Sequence, residues 1–284
     1  MFKNDQSKYF KLAKKLSDQF KTHSSVEAIA IGGSHQSDNI DSNSDVDLYI
    51  FTSNIIPLAF RENVVNKMGA SKVNLNLNFW DIGDLWIDQK TEIEIDVMFW
   101  DQKWIEMQLE QVLVHNQAKL GYTTCFWHTI KHSKILFERK DWFKQLQLKC
   151  RQPFSQKLRN AIISKNHPVL RNIITSYYHQ IKKAINRKDL ISVNHRVSAL
   201  LASYFDVLFA INYQTHPGEK RLLTFALKKC QKLPNGFEKQ IEDVLKTSGD
   251  EINKLLTKVD LLLENLDKLL LVENIDPSTT LSFN

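Results

Sequence analysis

Three acidic residues in the first hundred positions have the types and spacing of a catalytic carboxylate set. Asp45 and Asp47 stand at the start of the apolar run 48–51, and Asp96 lies in a later segment where acidic and apolar residues alternate. Side chains two residues apart on a β-strand point to the same face, so Asp45 and Asp47 would lie side by side. Two negative charges that close require a cation, and hard oxygen ligands suit Mg²⁺. The pattern predicts a metal site.

A glycine-rich turn precedes the acidic pair and follows the short apolar run 29–31. Gly32 and Gly33 have no side chain, so the backbone can bend sharply there and approach a ligand closely. Ser34 would cap the next helix, and the backbone N–H groups at that helix start would face a phosphate. These residues predict a phosphate-binding turn next to the carboxylates.

Together these segments resemble the nucleotidyltransferase superfamily, which includes DNA polymerase β and the aminoglycoside and lincosamide nucleotidyltransferases. The family pattern is Gly-Ser, a spacer, Ser-Asp-x-Asp and a later strand in which an acid stands between apolar residues. In this chain the matching segments occur in the same order: Gly33-Ser34, the spacer 35–43, the motif 44–47 and the strand residues 95–97.

The resemblance implies a Mg²⁺-dependent nucleotidyltransferase that moves a nucleoside monophosphate to a hydroxyl of a small-molecule acceptor. AMP from ATP is favoured over the other nucleotides. An antibiotic is one such acceptor, which would make antibiotic resistance the role. Asp45, Asp47 and Asp96 would be the catalytic residues and the ligands of two Mg²⁺ ions, with Glu94 as the alternative third carboxylate. The residues implied to bind the nucleoside triphosphate are Gly32, Gly33, Ser34, Ser44, Lys220 and Arg221.

Other functions of the same fold remain as alternatives. The fold also serves as a non-catalytic binding partner or as the antitoxin of a toxin–antitoxin pair, and a nucleotidyltransferase can act on RNA or protein instead of a small molecule. The presence of all three carboxylates favours catalysis. The basic middle of the chain supports a nucleic acid acceptor, whereas the absence of a recognisable RNA-binding module argues against such an acceptor.

The formal charge of +6 is distributed unevenly. Residues 1–150 contain 18 Lys and Arg against 19 Asp and Glu, whereas residues 151–233 contain 15 against 3. A basic block attracts phosphates, but solvated helix faces account for most such charges, and this block lacks aromatic residues interleaved with arginine. We interpret it mainly as helix surface. The segment 81–101 holds seven acids and one lysine, and solvent-facing surface is favoured there over a site for a cationic acceptor.

Composition favours a soluble, cytoplasmic protein without a membrane partner. The 284 residues are 43% apolar, which is enough for a sizeable core. No apolar run reaches membrane-spanning length, and the N-terminus lacks the apolar core of a signal peptide. Three widely spaced cysteines fit neither a disulfide framework nor a zinc site, so we interpret them as reduced packing residues: Cys125, Cys150 and Cys230.

Strand signals end near residue 153 and the periodicity is helical beyond it, which predicts an α+β fold in two domains. The resemblance implies that 1–152 is a nucleotidyltransferase domain with a mixed β-sheet flanked by helices, and 153–284 would form an all-α helical bundle. The predicted strands are 29–31, 48–51, 72–80 and 92–99. The predicted helices are 5–21, 57–68, 104–114, 155–165, 168–187, 190–212, 218–233 and the stretch 236–272.

Three polar groups outside the motif have a possible function. His128 and His132 are spaced to share a helix face as metal ligands, but without a third ligand a structural role is favoured. The segments 194–196 and 216–221 bracket the apolar run 199–211, and a helix hairpin would bring them together. For Tyr213 we favour a packing role over stacking on a base.

Overall fold

The computed structural model describes residues 2–32, 45–79 and 81–278, with side chains from residue 8 onward. The predicted α+β fold is confirmed: a mixed six-stranded sheet with flanking helices precedes a helical C-terminal region. The chain divides into two compact units. The first unit contains 1–110 and 129–152, and the second contains 111–128 and 153–284. Whether 1–152 and 153–284 fold as separate domains stays a prediction.

The first unit is built around the sheet. The elements from the N-terminus to the end of this unit are α1 (Phe2–Phe20), β1 (Val26–Ile31), β2 (Val46–Thr52), α2 (Leu58–Met68), β3 (Ala70–Leu77), β4 (Gly83–Asp88), β5 (Glu94–Asp101), α3 (Gln102–Leu113), α4 (Cys125–His132), β6 (Lys134–Glu138) and α5 (Trp142–Lys149). The strand order in the sheet is β3-β4-β5-β2-β1-β6. Strands β2 and β5 are parallel, and every other neighbouring pair in this order is antiparallel. Helices α3 and α4 each extend across a boundary between the units.

Alternation along the central strands sorts their side chains between two faces. Leu48, Ile50 and Val97 belong to the core that also buries Leu16 and Phe20 of α1. Because successive side chains of a strand point to opposite faces, the residues that alternate with these three along β2 and β5 face away from α1. The polar and aromatic residues on this second face include Asp47, Tyr49, Phe51, Asp96 and Trp100.

The second unit contains six further helices. They are α6 (Gln156–Asn166), α7 (Tyr177–Asn186), α8 (Leu190–Ile211), α9 (Leu222–Lys229), α10 (Phe237–Gly249) and α11 (Ile252–Val272). Helix α8 is its centre, since α6, α7 and α10 all pack against it and its residues 203–211 are buried. None of the helices in the described part of the chain is long and apolar enough to cross a membrane.

Several predicted elements differ from the structure. Strands β4 and β6 and helices α4 and α5 are not among the predicted elements: β4 lies in the acidic segment 81–101, which the sequence favours as solvent-facing surface, and no element is predicted between residues 114 and 155. The predicted helix 168–187 begins only at Tyr177, after hydrogen-bonded turns, where Ser176 caps it by accepting a hydrogen bond from the His179 N–H. The stretch 236–272 is two helices, which are separated at Asp250.

Candidate active site

Asp47 and Asp96 lie next to each other on adjacent strands. β2 and β5 run parallel, and their register pairs Asp47 with Asp96. Paired residues of a parallel sheet point to the same face, and neighbouring strands are about 4.8 Å apart. Asp47 is buried at 9% exposure, and Asp96 is partly buried. The sheet therefore places two predicted site residues side by side, although they are far apart in sequence.

Asp45 and Glu94 stand one pleat before this pair. Asp45 directly precedes β2 and is partly buried, and Glu94 is the exposed first residue of β5. The register pairs Val46 with Ile95, so the two acids before them belong to the same end of the sheet. The parallel strands thus present two successive levels of carboxylates, and Asp96 rather than Glu94 is level with Asp47.

A fourth carboxylate, that of Asp81, contributes to the pKa of the Tyr49 hydroxyl on this face. Burial raises the pKa of the Tyr49 hydroxyl well above its usual value. The negative charges of four carboxylates raise that pKa further: those of Asp47, Asp96, Asp45 and Asp81. Asp81 lies in the connection between β3 and β4, in the segment that the sequence favoured as solvent-facing surface.

The aromatic rings of Tyr49 and Trp100 pack against each other on the face that carries the carboxylates. Their centroids are 4.6 Å apart. The Trp100 indole N–H donates a hydrogen bond to Asp81 Oδ2 across 3.1 Å. Trp100 also contacts Phe51 edge-on, which continues the packing toward α5. Sequence alone did not identify Tyr49, Trp100 or Asp81 as parts of the site, because their contacts are between different strands and loops.

Gly32 ends β1 directly beside the carboxylates. Its N–H donates a hydrogen bond to the Asp47 carbonyl oxygen at 3.0 Å. A Cβ atom built on Gly32 would lie 2.2 Å from Cε2 of Tyr49, so a side chain at this position would displace the Tyr49 ring. Three further residues predicted to bind the nucleotide lie outside the described residues: Gly33 and Ser34 of the turn, and Ser44 of the Ser-Asp-x-Asp motif.

The donor chemistry of this face is compatible with Mg²⁺. The ion usually takes one or two protein carboxylates and completes its octahedron with water and substrate phosphate, and Asp47 and Asp96 offer such a pair. Within residues 2–32, 45–79 and 81–278, no group of three or more His, Cys, Asp or Glu side chains is arranged to hold a metal ion. The two-metal site with Asp45, Asp47 and Asp96 stays a prediction.

The other predicted nucleotide-binding residues, Lys220 and Arg221, belong to the second unit. Both are exposed, and Arg221 has a positive φ of 56° directly before α9. The helix hairpin expected between 194–196 and 216–221 is not formed. The intervening run is one continuous helix, α8, and residues 196 and 211 are separated by about 22 Å along its axis.

Buried polar residues near His216 form a separate cluster in the second unit. The His216 N–H donates to Thr124 Oγ1 at 2.7 Å, and Cys125 Sγ lies 3.5 Å from His216 Nδ1. Burial lowers the pKa of His216 to about 3 and raises that of Cys125 to about 12. Both groups are therefore neutral at neutral pH, and a Cys–His ion pair of the kind that activates a thiol is not formed.

His128 also takes part in this cluster, since its Nδ1 lies 2.8 Å from Thr215 Oγ1. His132, at the end of α4, is exposed. The structural role favoured for this histidine pair stays a prediction.

No protein family model matches the chain, and no curated protein sequence matches it. Among solved structures, a nucleotidyltransferase-like protein from Exiguobacterium sibiricum 255-15 is similar, with a TM-score of 0.43 and 12% sequence identity. The similarity covers 96% of this chain and 77% of that protein. A similarity this distant leaves the function to be argued from the residues of the chain itself.

Proposed function

We propose that the chain is a Mg²⁺-dependent nucleotidyltransferase that transfers AMP from ATP to a hydroxyl group of a small-molecule acceptor, of which an antibiotic is one example. One observation carries the proposal. Asp47 and Asp96 are paired in register on parallel strands, and Asp45 precedes Asp47 by two residues. This arrangement gathers carboxylates from two distant segments at one end of the sheet, as the motif resemblance leads one to expect.

The reaction is a displacement at the α-phosphorus of ATP. The acceptor hydroxyl oxygen forms a bond to that phosphorus while the bond from it to the bridging oxygen breaks, and pyrophosphate leaves. The carboxylate of Asp96 would take the hydroxyl proton or hold the metal beside the attacking oxygen. Bound Mg²⁺ would supply the positive charge that stabilises the attacking and leaving oxygens.

Each carboxylate has a distinct role in this proposal. Asp45 and Asp47 would hold the metal and with it the triphosphate. Asp96, on the neighbouring strand, would serve the acceptor side, where the new bond forms. Gly32 would let the backbone approach the nucleotide, together with the turn residues that follow it and Ser44. Lys220 and Arg221 of the second unit are the proposed additional triphosphate contacts.

The test is a search for products. The protein is incubated with Mg²⁺, radiolabelled ATP, GTP, CTP or UTP, and a panel of hydroxylated metabolites and antibiotics, and the products are identified by mass spectrometry. The proposal expects an acceptor that gains the mass of an adenylyl group, which is AMP less water, with release of pyrophosphate, and no such product from Asp47→Asn. A product whose formation is unaffected by Asp47→Asn would contradict the proposed site. Absence of any nucleotidyl product over the panel would favour a non-catalytic binding protein.

A further inference from the structure

A basic surface lies on the hairpin of α7 and α8 in the second unit. The two helices pack against each other and are joined by the short link 187–189. Their exposed side chains are rich in hydrogen-bond donors. We call this set the hairpin surface, and its members are Lys182, Lys183, Asn186, Arg187, Lys188, Asn194, His195 and Arg196.

The charge of this hairpin is almost entirely positive. The sequence has no acidic residue between Asp141 and Asp189. Residues 177–196 contain five Lys or Arg and one Asp, a formal charge of +4. A patch of this kind raises the local concentration of anions and steers a polyanion toward it.

The one acid of the hairpin, Asp189, is engaged at the start of α8. Its carboxylate accepts hydrogen bonds from the Ser192 N–H at 3.0 Å and from Ser192 Oγ at 2.6 Å. These hydrogen bonds lower its pKa, and the charge of Arg187 contributes to the same shift. Asp189 therefore acts mainly as a helix cap, and one carboxylate does not balance five basic side chains.

A basic residue outside the hairpin, Arg171 in the turns before α7, has acidic partners. Arg171 forms ion pairs with Asp260 at 3.0 Å and with Asp267 at 2.8 Å, both on α11. Tyr178 of α7 donates a hydrogen bond to the same Asp260. These two acids of α11 are thus engaged by the start of α7 and the turns before it, whereas the exposed face of α7 bears Lys182 and Lys183 without acidic residues in its own helix.

We propose that the hairpin surface binds the phosphodiester backbone of a nucleic acid. Lys, Arg and Asn side chains are typical donors to phosphate and sugar oxygens, and such contacts require no base recognition. The binding site would be distinct from the carboxylate face, and its existence does not depend on nucleotidyl transfer. The partner would be bound through charge and with little sequence preference.

An anionic membrane is a weaker fit to the same surface. A helix that lies on a membrane needs apolar side chains next to its basic ones. Helix α7 buries its apolar residues Ile181 and Ala184 and exposes a polar face. The start of α8 adds two exposed aliphatic side chains next to the surface, Leu190 at 56% and Ile191 at 72% exposure.

The test is fluorescence anisotropy of the full-length protein with fluorescein-labelled single-stranded RNA, duplex RNA and duplex DNA over a series of KCl concentrations. We expect Lys182→Gln/Lys183→Gln/Arg187→Gln to weaken binding at least about tenfold at physiological salt. Because each phosphate contact contributes about 0.7 to 0.9 to the logarithmic salt slope, the slope should fall by about 2 to 3. Should this variant fail to fold, Arg187→Gln alone should lower the slope by about 1.

The matched control removes three lysines elsewhere in the second unit. Lys246, Lys254 and Lys258 each form an ion pair with an acidic residue. We expect the triple Gln variant of these lysines to bind nucleic acid like the unmodified protein. Equal losses in both triple variants would show that binding follows total charge, and would overturn the proposal. Lack of binding to all three nucleic acids would overturn it too.

A second arm distinguishes nucleic acid from membrane. The protein is sedimented with vesicles of phosphatidylcholine, with and without phosphatidylserine, and Leu190→Ser/Ile191→Ser is compared in both assays. The proposal expects no sedimentation and an unchanged affinity of this variant for RNA. Sedimentation with phosphatidylserine vesicles that Leu190→Ser/Ile191→Ser abolishes, without nucleic acid binding, would assign the surface to a membrane instead.

Discussion

The ring of Tyr49 occupies the space in which a side chain at Gly32 would begin. A Cβ on Gly32 would approach Tyr49 Cε2 to 2.2 Å, which is too close for two non-bonded carbon atoms. The Gly32 N–H also donates a hydrogen bond to the Asp47 carbonyl oxygen. The absence of a side chain at residue 32 therefore lets the end of β1 lie directly against the strand that carries the carboxylate.

We expect Gly32→Ala to lower the free energy of unfolding by about 1 to 3 kcal/mol, because it overpacks this contact. It should also lower the transfer rate, since the displaced Tyr49 ring disturbs Asp47. In a Tyr49→Ala background the same change should cost much less, since the clashing atoms are absent. Urea denaturation of the four proteins of this cycle measures the coupling between the two positions.

Gly249→Ala is the control for that cycle. Gly249 ends α10, and a Cβ built on it meets no atom within 4 Å. Alanine there should leave stability unchanged or slightly increased. If Gly32→Ala cost the same with the Tyr49 ring present and with it removed by Tyr49→Ala, the contact between Gly32 and the ring would be contradicted.

Short apolar runs made β1 and β2 predictable and strict alternation made β5 predictable, and with β2 came the common face of Asp45 and Asp47. The pairing of Asp47 with Asp96 depends on β2 and β5 being parallel neighbours in one register, which no local pattern specifies. Tyr49 stands in an apolar run that indicates a buried strand, and that local context does not reveal the carboxylates that act on its hydroxyl. Asp81 stands just before β4, and its hydrogen bond with the Trp100 indole joins two separate parts of the chain. The sequence around Asp81 therefore does not reveal this contact.

Asp45→Asn and Asp47→Asn should each abolish nucleotide transfer with little loss of folding stability. Replacing one of two crowded carboxylates relieves repulsion in the unliganded protein and deprives the metal of a ligand. Unmodified protein should gain about 2.7 kcal/mol of unfolding free energy at Mg²⁺-ATP concentrations a hundredfold above Kd, because ligand binds only the folded state. The variants should gain far less. Thermal melts with and without Mg²⁺-ATP measure this difference.

Glu62→Gln serves as the control for the metal ligands, since Glu62 is an exposed acid on α2. Its transfer rate and its stabilisation by Mg²⁺-ATP should match those of the unmodified protein. Near-normal turnover by Asp45→Asn or Asp47→Asn would exclude these residues as metal ligands.

Asp206, which the sequence did not single out, should make stability depend on pH. It is 1% exposed, and burial raises its pKa to about 7, although Thr123 Oγ1 donates a hydrogen bond to it at 2.6 Å. A pKa raised by folding means that the folded state binds the proton more tightly than the unfolded state. The resulting stabilisation is fully present below about pH 4 and is lost as the pH rises toward 7.

The expected size of this loss is at most about 4 kcal/mol, since one pKa unit corresponds to about 1.4 kcal/mol. Urea denaturation of Asp206→Asn between pH 4 and 7.5 should show a smaller fall in unfolding free energy than the unmodified protein. The exposed Asp250→Asn should keep the original pH dependence. Parallel curves for the unmodified protein and Asp206→Asn would show that another group causes the dependence.

The last prediction separates the two acids of β5. Asp96 is level with Asp47 in the register, whereas Glu94 is exposed and lies one pleat earlier. If Asp96 takes the hydroxyl proton or holds the metal on the acceptor side, Asp96→Asn should lower turnover by about two to four powers of ten. Nucleotide affinity should change little, because it comes mainly from Asp45, Asp47 and the turn after Gly32. Glu94→Gln should retain most of the activity.

Two measurements decide between these acids. Titration of Mg²⁺-ATP into both variants reports the nucleotide affinity, and a single-turnover experiment at saturating nucleotide reports the chemical step. A loss confined to the single-turnover rate of Asp96→Asn is the expected result, because a group that acts only as the new bond forms does not contribute to ground-state binding. An inactive Glu94→Gln beside an active Asp96→Asn would place the acceptor-side carboxylate one pleat earlier, at the level of Asp45.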